Sequence, residues 1–136
     1  MNTLIVVAEL SKIEQCIGFV IAEAAVAGAS EKAKQHINLA CEEALVNIMS
    51  YAYSGSDKVG DVCIKCDVDA IGRFVVEIVD EGVAFDPLSR PEPDLGTPIE
   101  DRRVGGLGVF LLKNVMDEVR YERQGGKNSL TLIKGL

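Results

Sequence analysis

Glu43 and Asn47 stand four residues apart in ACEEALVNIMSY, a stretch with helical periodicity, so their side chains stack on one side of a helix. A carboxamide oxygen suits a hard cation such as Mg²⁺, and a carboxylate can take a proton from an attacking hydroxyl. The same two residues could equally form an ordinary polar pair on a helix edge. Asp80 ends the apolar run RFVVEIV and opens DEGVAFDP, with Gly82, Ala84, Asp86 and Pro87 behind it. It is either the punctuation of a turn or a group that reads a ligand. Gly105, Gly106 and Gly108 open GGLGVFLLKN, where glycines let backbone amides approach a ligand at a helix N-terminus. Phosphate is the natural guest of such amides, although glycines also serve tight turns and close packing. No G-K-[ST] follows them and no strand feeds into them, which excludes a Walker loop and a dinucleotide fingerprint.

These groups need elements to hold them. Residues 3–9 read as a first strand. Ser11 and Glu14 make the S-x-x-E pattern of a capping box and predict a helix running to Val26, ahead of Gly28. Ser30 is placed to cap a second helix from Glu31 to Tyr53, on which Ile37, Cys41, Ala44, Leu45, Ile48 and Ala52 mark the buried face. Glu43 and Asn47 fall at the edge of that stripe. DVCIKCDV at 61–68 and RFVVEIV at 73–79 predict an antiparallel hairpin, with Val62, Ile64 and Val68 as its inward set. Residues 87–104 hold all four prolines and almost no periodicity, the mark of a lid. A helix then follows the glycines, and VRYERQGGKNSLTLIK predicts a last hairpin turning at Gly125-Gly126. The order β-α-α-β-β-lid-α-β-β gives an α+β expectation: one domain, 1–136, with helices on one face of a mainly antiparallel sheet.

Composition narrows the function classes. The formal net charge of −7 argues against a nucleic-acid binder, whose affinity rests on phosphate neutralisation. Any polyanion bound here must find its positive field locally, in backbone amides, a few Arg or Lys, or a divalent cation. Cys63 and Cys66 form one C-x-x-C within a strand, which sends them to opposite faces, and zinc would want a second such pair. With Cys16 and Cys41 they read as the reduced thiols of a cytoplasmic protein. No apolar run approaches the ~20 residues of a membrane helix. MNTLIVVAELSK carries neither a basic leader nor a cleavage site, so no signal peptide is expected. His36, the single histidine, supports neither a zinc site nor a Ser-His-Asp triad and reads as a surface or packing group.

Taken together, these motifs resemble those of the GHKL (histidine-kinase-like) ATPase superfamily, and most closely its bacterial anti-sigma-factor serine/threonine kinases. EEALVN at 42–47 matches the helix bearing Glu and Asn, DEGVAFD at 80–86 matches the first glycine box, and GGLGVFLLKNVMDEV at 105–119 matches the second. The resemblance covers residue 37 to the C-terminus and implies a two-layer sandwich of the Bergerat ATP-binding type, its mixed, mostly antiparallel sheet covered on one face by helices. It implies that Asp80 accepts the adenine amino group beside Gly82, that Asn47 holds Mg²⁺ bridging the phosphates, and that Glu43 is the general base for a serine hydroxyl. Gly105, Gly106, Leu107 and Gly108 would meet the phosphates, Arg103 the γ-phosphate, and residues 87–104 would form the ATP lid. Ala84 and Asp86 complete the first box, and Ser129 stands as a weaker nucleotide contact. Ala84 departs from the family's second glycine and is compatible with the box only at ordinary backbone dihedrals. The resemblance further implies ATP and Mg²⁺ as cofactors, an anti-sigma antagonist protein as substrate, a sigma factor as sequestered partner, and a homodimer. A nucleotide-sensing module that binds its partner without transferring phosphate is the alternative; a retained Glu43 favours the kinase, because binding alone needs no general base.

Overall fold

The structure, a computed structural model, describes residues 2–53, 60–84 and 112–136. Five strands form one sheet in the order β1-β2-β3-β5-β4. They are β1 Asn2–Val7, β2 Asp61–Val68, β3 Arg73–Asp80, β4 Glu118–Gln124 and β5 Lys127–Gly135. All four pairings are antiparallel. Two helices, α1 Ile13–Val26 and α2 Glu31–Tyr51, cover one face.

Alternation decides which side chains meet those helices. On β3, Phe74, Val76 and Ile78 are buried, and the same face continues to Asp80. On β5 the matching set is Asn128, Leu130 and Leu132, and on β2 it is Val62, Ile64 and Cys66. Against them α2 sets Ile37, Cys41, Ala44, Leu45 and Ile48, and α1 sets Cys16, Val20 and Ala24. Fully burying one such aliphatic or aromatic side chain contributes about 1.5–3 kcal/mol. The two-layer arrangement expected from the order of elements is therefore present, with its core between the helices and one sheet face.

Local corrections have physical causes. The S-x-x-E pattern does not cap α1: a 3-10 turn, Leu10–Lys12, intervenes, and Lys12 precedes the helix without a side-chain cap. The turn occupies Ser11, so its hydroxyl is not at the start of the helix. At α2 the expectation holds, with the Ala33 N–H donating to Ser30 Oγ at 3.1 Å. The buried set of β2 is Val62, Ile64 and Cys66; Val68 has the same parity but is the last residue of the strand and is left exposed. Residues 112–115 are helical, but the chain is already in β4 by Glu118, so the helix does not extend to Val119 as expected. Asp117 N–H, donating to Ile133 O at 2.9 Å, ties that transition to β5. All four cysteines are free thiols, and burial pushes the Cys66 thiol up to about 12, which keeps it protonated and unreactive. Among the described residues no helix is long and apolar enough to cross a membrane.

His36 sits on α2 with Nδ1 sealed from solvent and without a hydrogen-bond partner among the described residues. Its imidazole is held below its ordinary value of 6.5, first by burial, then by the ammonium groups of Lys134 and Lys32, with Asp117 opposing them. A lowered folded value means that the unfolded chain binds the proton more readily. The stability from neutral His36 is complete above the unfolded value and is lost as pH falls through it toward the folded one. Thermal melts should therefore show a lower Tm at about pH 5.5 than at about pH 7.5, and His36→Gln should reduce that difference. A His36→Gln variant with the wild-type pH dependence would show that His36 does not contribute to it.

Candidate nucleotide site

Asp80 is the last residue of β3 and lies in the central region of the sheet, between β2 and β5. It is 3% exposed. A carboxylate at this depth needs donors, and two of them converge on one oxygen. Gly82 N–H reaches Oδ1 at 2.8 Å, and Asn128 Nδ2 reaches the same atom at 2.9 Å. Among the described residues both of these donors sit on Oδ1 and none on Oδ2.

The turn after Asp80 is fastened on several sides. Val83 N–H donates to Ala52 O at 2.7 Å, at the C-terminal end of α2. Tyr53 Oη donates to Asp61 O at 2.8 Å and accepts from Glu81 N–H at 2.9 Å, linking that helix end to both β2 and the turn. From β4, Arg123 Nη1 donates to Gly82 O at 2.7 Å. From β5, Asn128 Nδ2 also donates to Val83 O at 2.8 Å. No non-glycine residue among those described has a positive φ, so Ala84 keeps the ordinary dihedrals that a β-carbon needs.

Gly82 has a steric reason of its own. A β-carbon built there would lie 2.0 Å from Ala52 O, which is backbone and cannot swing aside. Gly82→Ala must part the turn from α2 and break the Val83–Ala52 hydrogen bond. Overpacking of this kind costs about 1–3 kcal/mol. Chemical denaturation should show an unfolding free energy lower by that amount, with a correspondingly lower midpoint; an unchanged free energy would refute the contact.

This junction relates Asp80 to the helical pair. Asn47 lies five residues before Ala52, about 7.5 Å along the axis at 1.5 Å per residue, and Glu43 lies one further turn away. Asn47 is 5% exposed, Glu43 is half-buried, and both are on α2, whose far end rests on the Asp80 turn. The carboxamide thus continues the buried stripe of α2, and the carboxylate stands at its margin. Among the described residues no group of three His, Cys, Asp or Glu could hold a metal ion.

Of the residues expected at the site, Asp80, Gly82 and Ala84 share one turn, joined to the helix of Glu43 and Asn47. Asp86, Arg103, Gly105, Gly106, Leu107 and Gly108, and with them the lid at 87–104, lie outside the described residues. Ser129 is a correction. Its Oγ donates to Glu77 Oε2 at 2.9 Å, on the sheet face opposite Asp80. A strand turns successive side chains to opposite faces, so a shift of one residue exchanges Ser129 for Asn128. Asn128, Tyr121, Arg123 and Tyr53 went unforeseen. The alternation of Asn128 with Leu130 and Leu132 was the signal for the first of them.

Comparison with known proteins agrees with this geometry. Residues 6–134 match the histidine kinase-like ATPase domain family. The chain is 33% identical over 97 residues to the serine/threonine-protein kinase BtrW of Bordetella bronchiseptica, covering 71% of this chain and 66% of that one. It is 36% identical over 97 residues to the serine-protein kinase RsbW of Bacillus subtilis, covering 68% and 59% respectively. RsbW of Listeria monocytogenes is 31% identical over 98 residues, covering 69% and 61%. These matches span less than two thirds of the relatives' own length. A crystal structure of the RsbU and RsbW domains of a Mycobacterium tuberculosis protein superposes with a TM-score of 0.68 over 100% of this chain and 33% of that one, at 15% identity, a likeness of fold. The chain belongs to the histidine kinase-like ATPase domain family.

Proposed function

We propose that this chain is an anti-sigma-factor-type serine/threonine kinase, which binds Mg-ATP, phosphorylates a serine on an antagonist protein and, as a homodimer in the cytoplasm, sequesters a sigma factor. The observation that carries the reading is the buried carboxylate of Asp80, held through Oδ1 in a turn fastened to the helix of Glu43 and Asn47. The names of the relatives, serine kinases of the RsbW and BtrW type, point the same way.

In this reading Asp80 Oδ2 accepts the exocyclic amine of adenine and thereby fixes one end of the nucleotide. Asn47, polar and buried in an otherwise apolar stripe, offers a carboxamide oxygen toward the phosphates. That single donor fits Mg²⁺, which characteristically takes one or two protein oxygens and completes its shell with substrate phosphates and water. When bound, the ion neutralises phosphate charge. Glu43 accepts the proton of the attacking serine hydroxyl, and its half-buried position leaves it accessible to an incoming protein. By the resemblance, Gly105, Gly106 and Gly108 would meet the phosphates and Arg103 the γ-phosphate. Phosphoryl transfer asks for positioning and charge neutralisation more than covalent participation, which an acidic chain can supply through amides and a metal.

Incubation with γ-labelled ATP and a candidate antagonist protein tests the whole reading. The expected result is label on a serine of the antagonist, dependent on Mg²⁺. Tight ATP binding with no label on any candidate antagonist would instead identify a nucleotide-sensing module.

A further inference from the structure

We infer that the β4–β5 hairpin selects the nucleobase: Asn128, oriented by Tyr121, is a positioning residue that locks Asp80 to receive a 6-amino purine and to reject a 6-oxo purine. The inference rests on the ATP reading above and adds the residues that enforce it.

The orientation of the Asn128 carboxamide follows from its neighbours. Val83 O, 2.8 Å away, is a carbonyl and can only accept, so the –NH₂ end must face it. The same nitrogen then donates its second proton to Asp80 Oδ1 at 2.9 Å. A flip would set Oδ1 against these two acceptors, and at the opposite end of the amide Oδ1 accepts from the Tyr121 hydroxyl, which steadies the plane of the carboxamide. Both N–H protons are thus committed, and Asn128 is 5% exposed, so water does not compete freely for them.

The consequence falls on Asp80. With Gly82 N–H and Asn128 Nδ2 both on Oδ1, the carboxylate is held through that oxygen, and no described residue donates to Oδ2, which in this reading faces the base. An exocyclic amine satisfies it. A 6-oxo group would set oxygen against oxygen in a buried place, where an unpaired polar group is costly. Without Asn128 the carboxylate keeps one fixed donor, can rotate, and discriminates less. Arg123, donating to Gly82 O from the same hairpin, holds the turn to β4 independently of the base-facing oxygen.

ATP and inosine triphosphate differ at this edge of the base, with an amine replaced by an oxo group, so the ratio of their dissociation constants reads the lock directly. Titration calorimetry should show that the unmodified chain prefers ATP by about 100-fold. Asn128→Leu, close in volume but without donors, should reduce that ratio about 10-fold, with inosine triphosphate affinity nearly unchanged. Tyr121→Phe, which releases only the orientation of the amide, should reduce it about 3-fold. A generally loosened fold would weaken both nucleotides together and leave the ratio in place. If Asn128→Leu does not fold, Tyr121→Phe decides. A ratio equal to wild type in the folded variants overturns the positioning role while leaving the ATP reading intact. A wild-type chain that binds neither nucleotide, or both equally, overturns that reading and this inference with it.

Discussion

Asp80→Asn lowers ATP affinity by about 100-fold and shifts base preference toward the 6-oxo purine, an outcome that follows from one atom. The asparagine oxygen can take the place of Oδ1 and accept from Gly82 N–H and Asn128 Nδ2 as the carboxylate does. The turn therefore keeps its internal hydrogen bonds, and the fold persists. The other atom changes from acceptor to donor, so an –NH₂ faces the adenine amine. Two donors with no acceptor between them repel, and each loses its partner beside a side chain that is only 3% exposed in the unmodified chain. Inosine triphosphate presents an oxygen to the same –NH₂ and should gain. Parallel titrations of both nucleotides check this; an unchanged ATP affinity would remove Asp80 from the base pocket.

Glu43→Gln leaves ATP affinity within about 3-fold of wild type but lowers the rate of phosphate transfer by ~10²–10⁴, the range supplied by a positioned general base. The substitution keeps size and hydrogen-bonding reach and removes the ability to take a proton. Glu43 is half-buried on α2, one turn before the buried Asn47 and farther from the Asp80 turn, so its loss should not disturb the base end of the pocket. Asn47→Ala provides the contrast, because it should weaken nucleotide binding in the presence of Mg²⁺ more than in its absence. Single-turnover measurements at saturating ATP separate the two effects. A Glu43→Gln variant with wild-type transfer would leave the carboxylate without a catalytic role.

Much of this was legible before the fold was known, and the reasons are physical. Period-two alternation on β3 and β5 and three-to-four spacing on α2 are imposed by burial, so the hairpins, the long helix and their inward faces could be read from residue types. Ser30 announced a helix start because its hydroxyl has an orphan amide to satisfy. Ser11 carried the same pattern without the same result, since a 3-10 turn displaced the start of α1. Asp80, Asn47 and Glu43 were legible as polar groups at a strand end and a helix edge, and it is the resemblance that gives them roles. Tyr53 and Arg123 were hidden because their partners are the backbone oxygens and amides of residues up to 41 positions away, which sequence alone does not reveal. Asn128 was missed for a smaller reason. Ser129 drew attention as a hydroxyl, while the strand register gave its neighbour to the site and turned Ser129 to Glu77.

The turn at Asp80 is therefore a joint construction. Strand β3 brings the carboxylate, α2 anchors the turn through Ala52 and Tyr53, and the last hairpin orients the acceptor. Its acidic composition does not conflict with a polyanionic guest, because the groups that would meet the phosphates are amides, a carboxamide and a cation rather than a basic surface.

The most direct test is calorimetric titration of the unmodified chain with ATP and with inosine triphosphate, each in the presence of Mg²⁺. The account predicts saturable binding of ATP, a preference over inosine triphosphate of about 100-fold, and loss of that preference in Asp80→Asn. No binding of ATP, or equal binding of the two nucleotides, would contradict it.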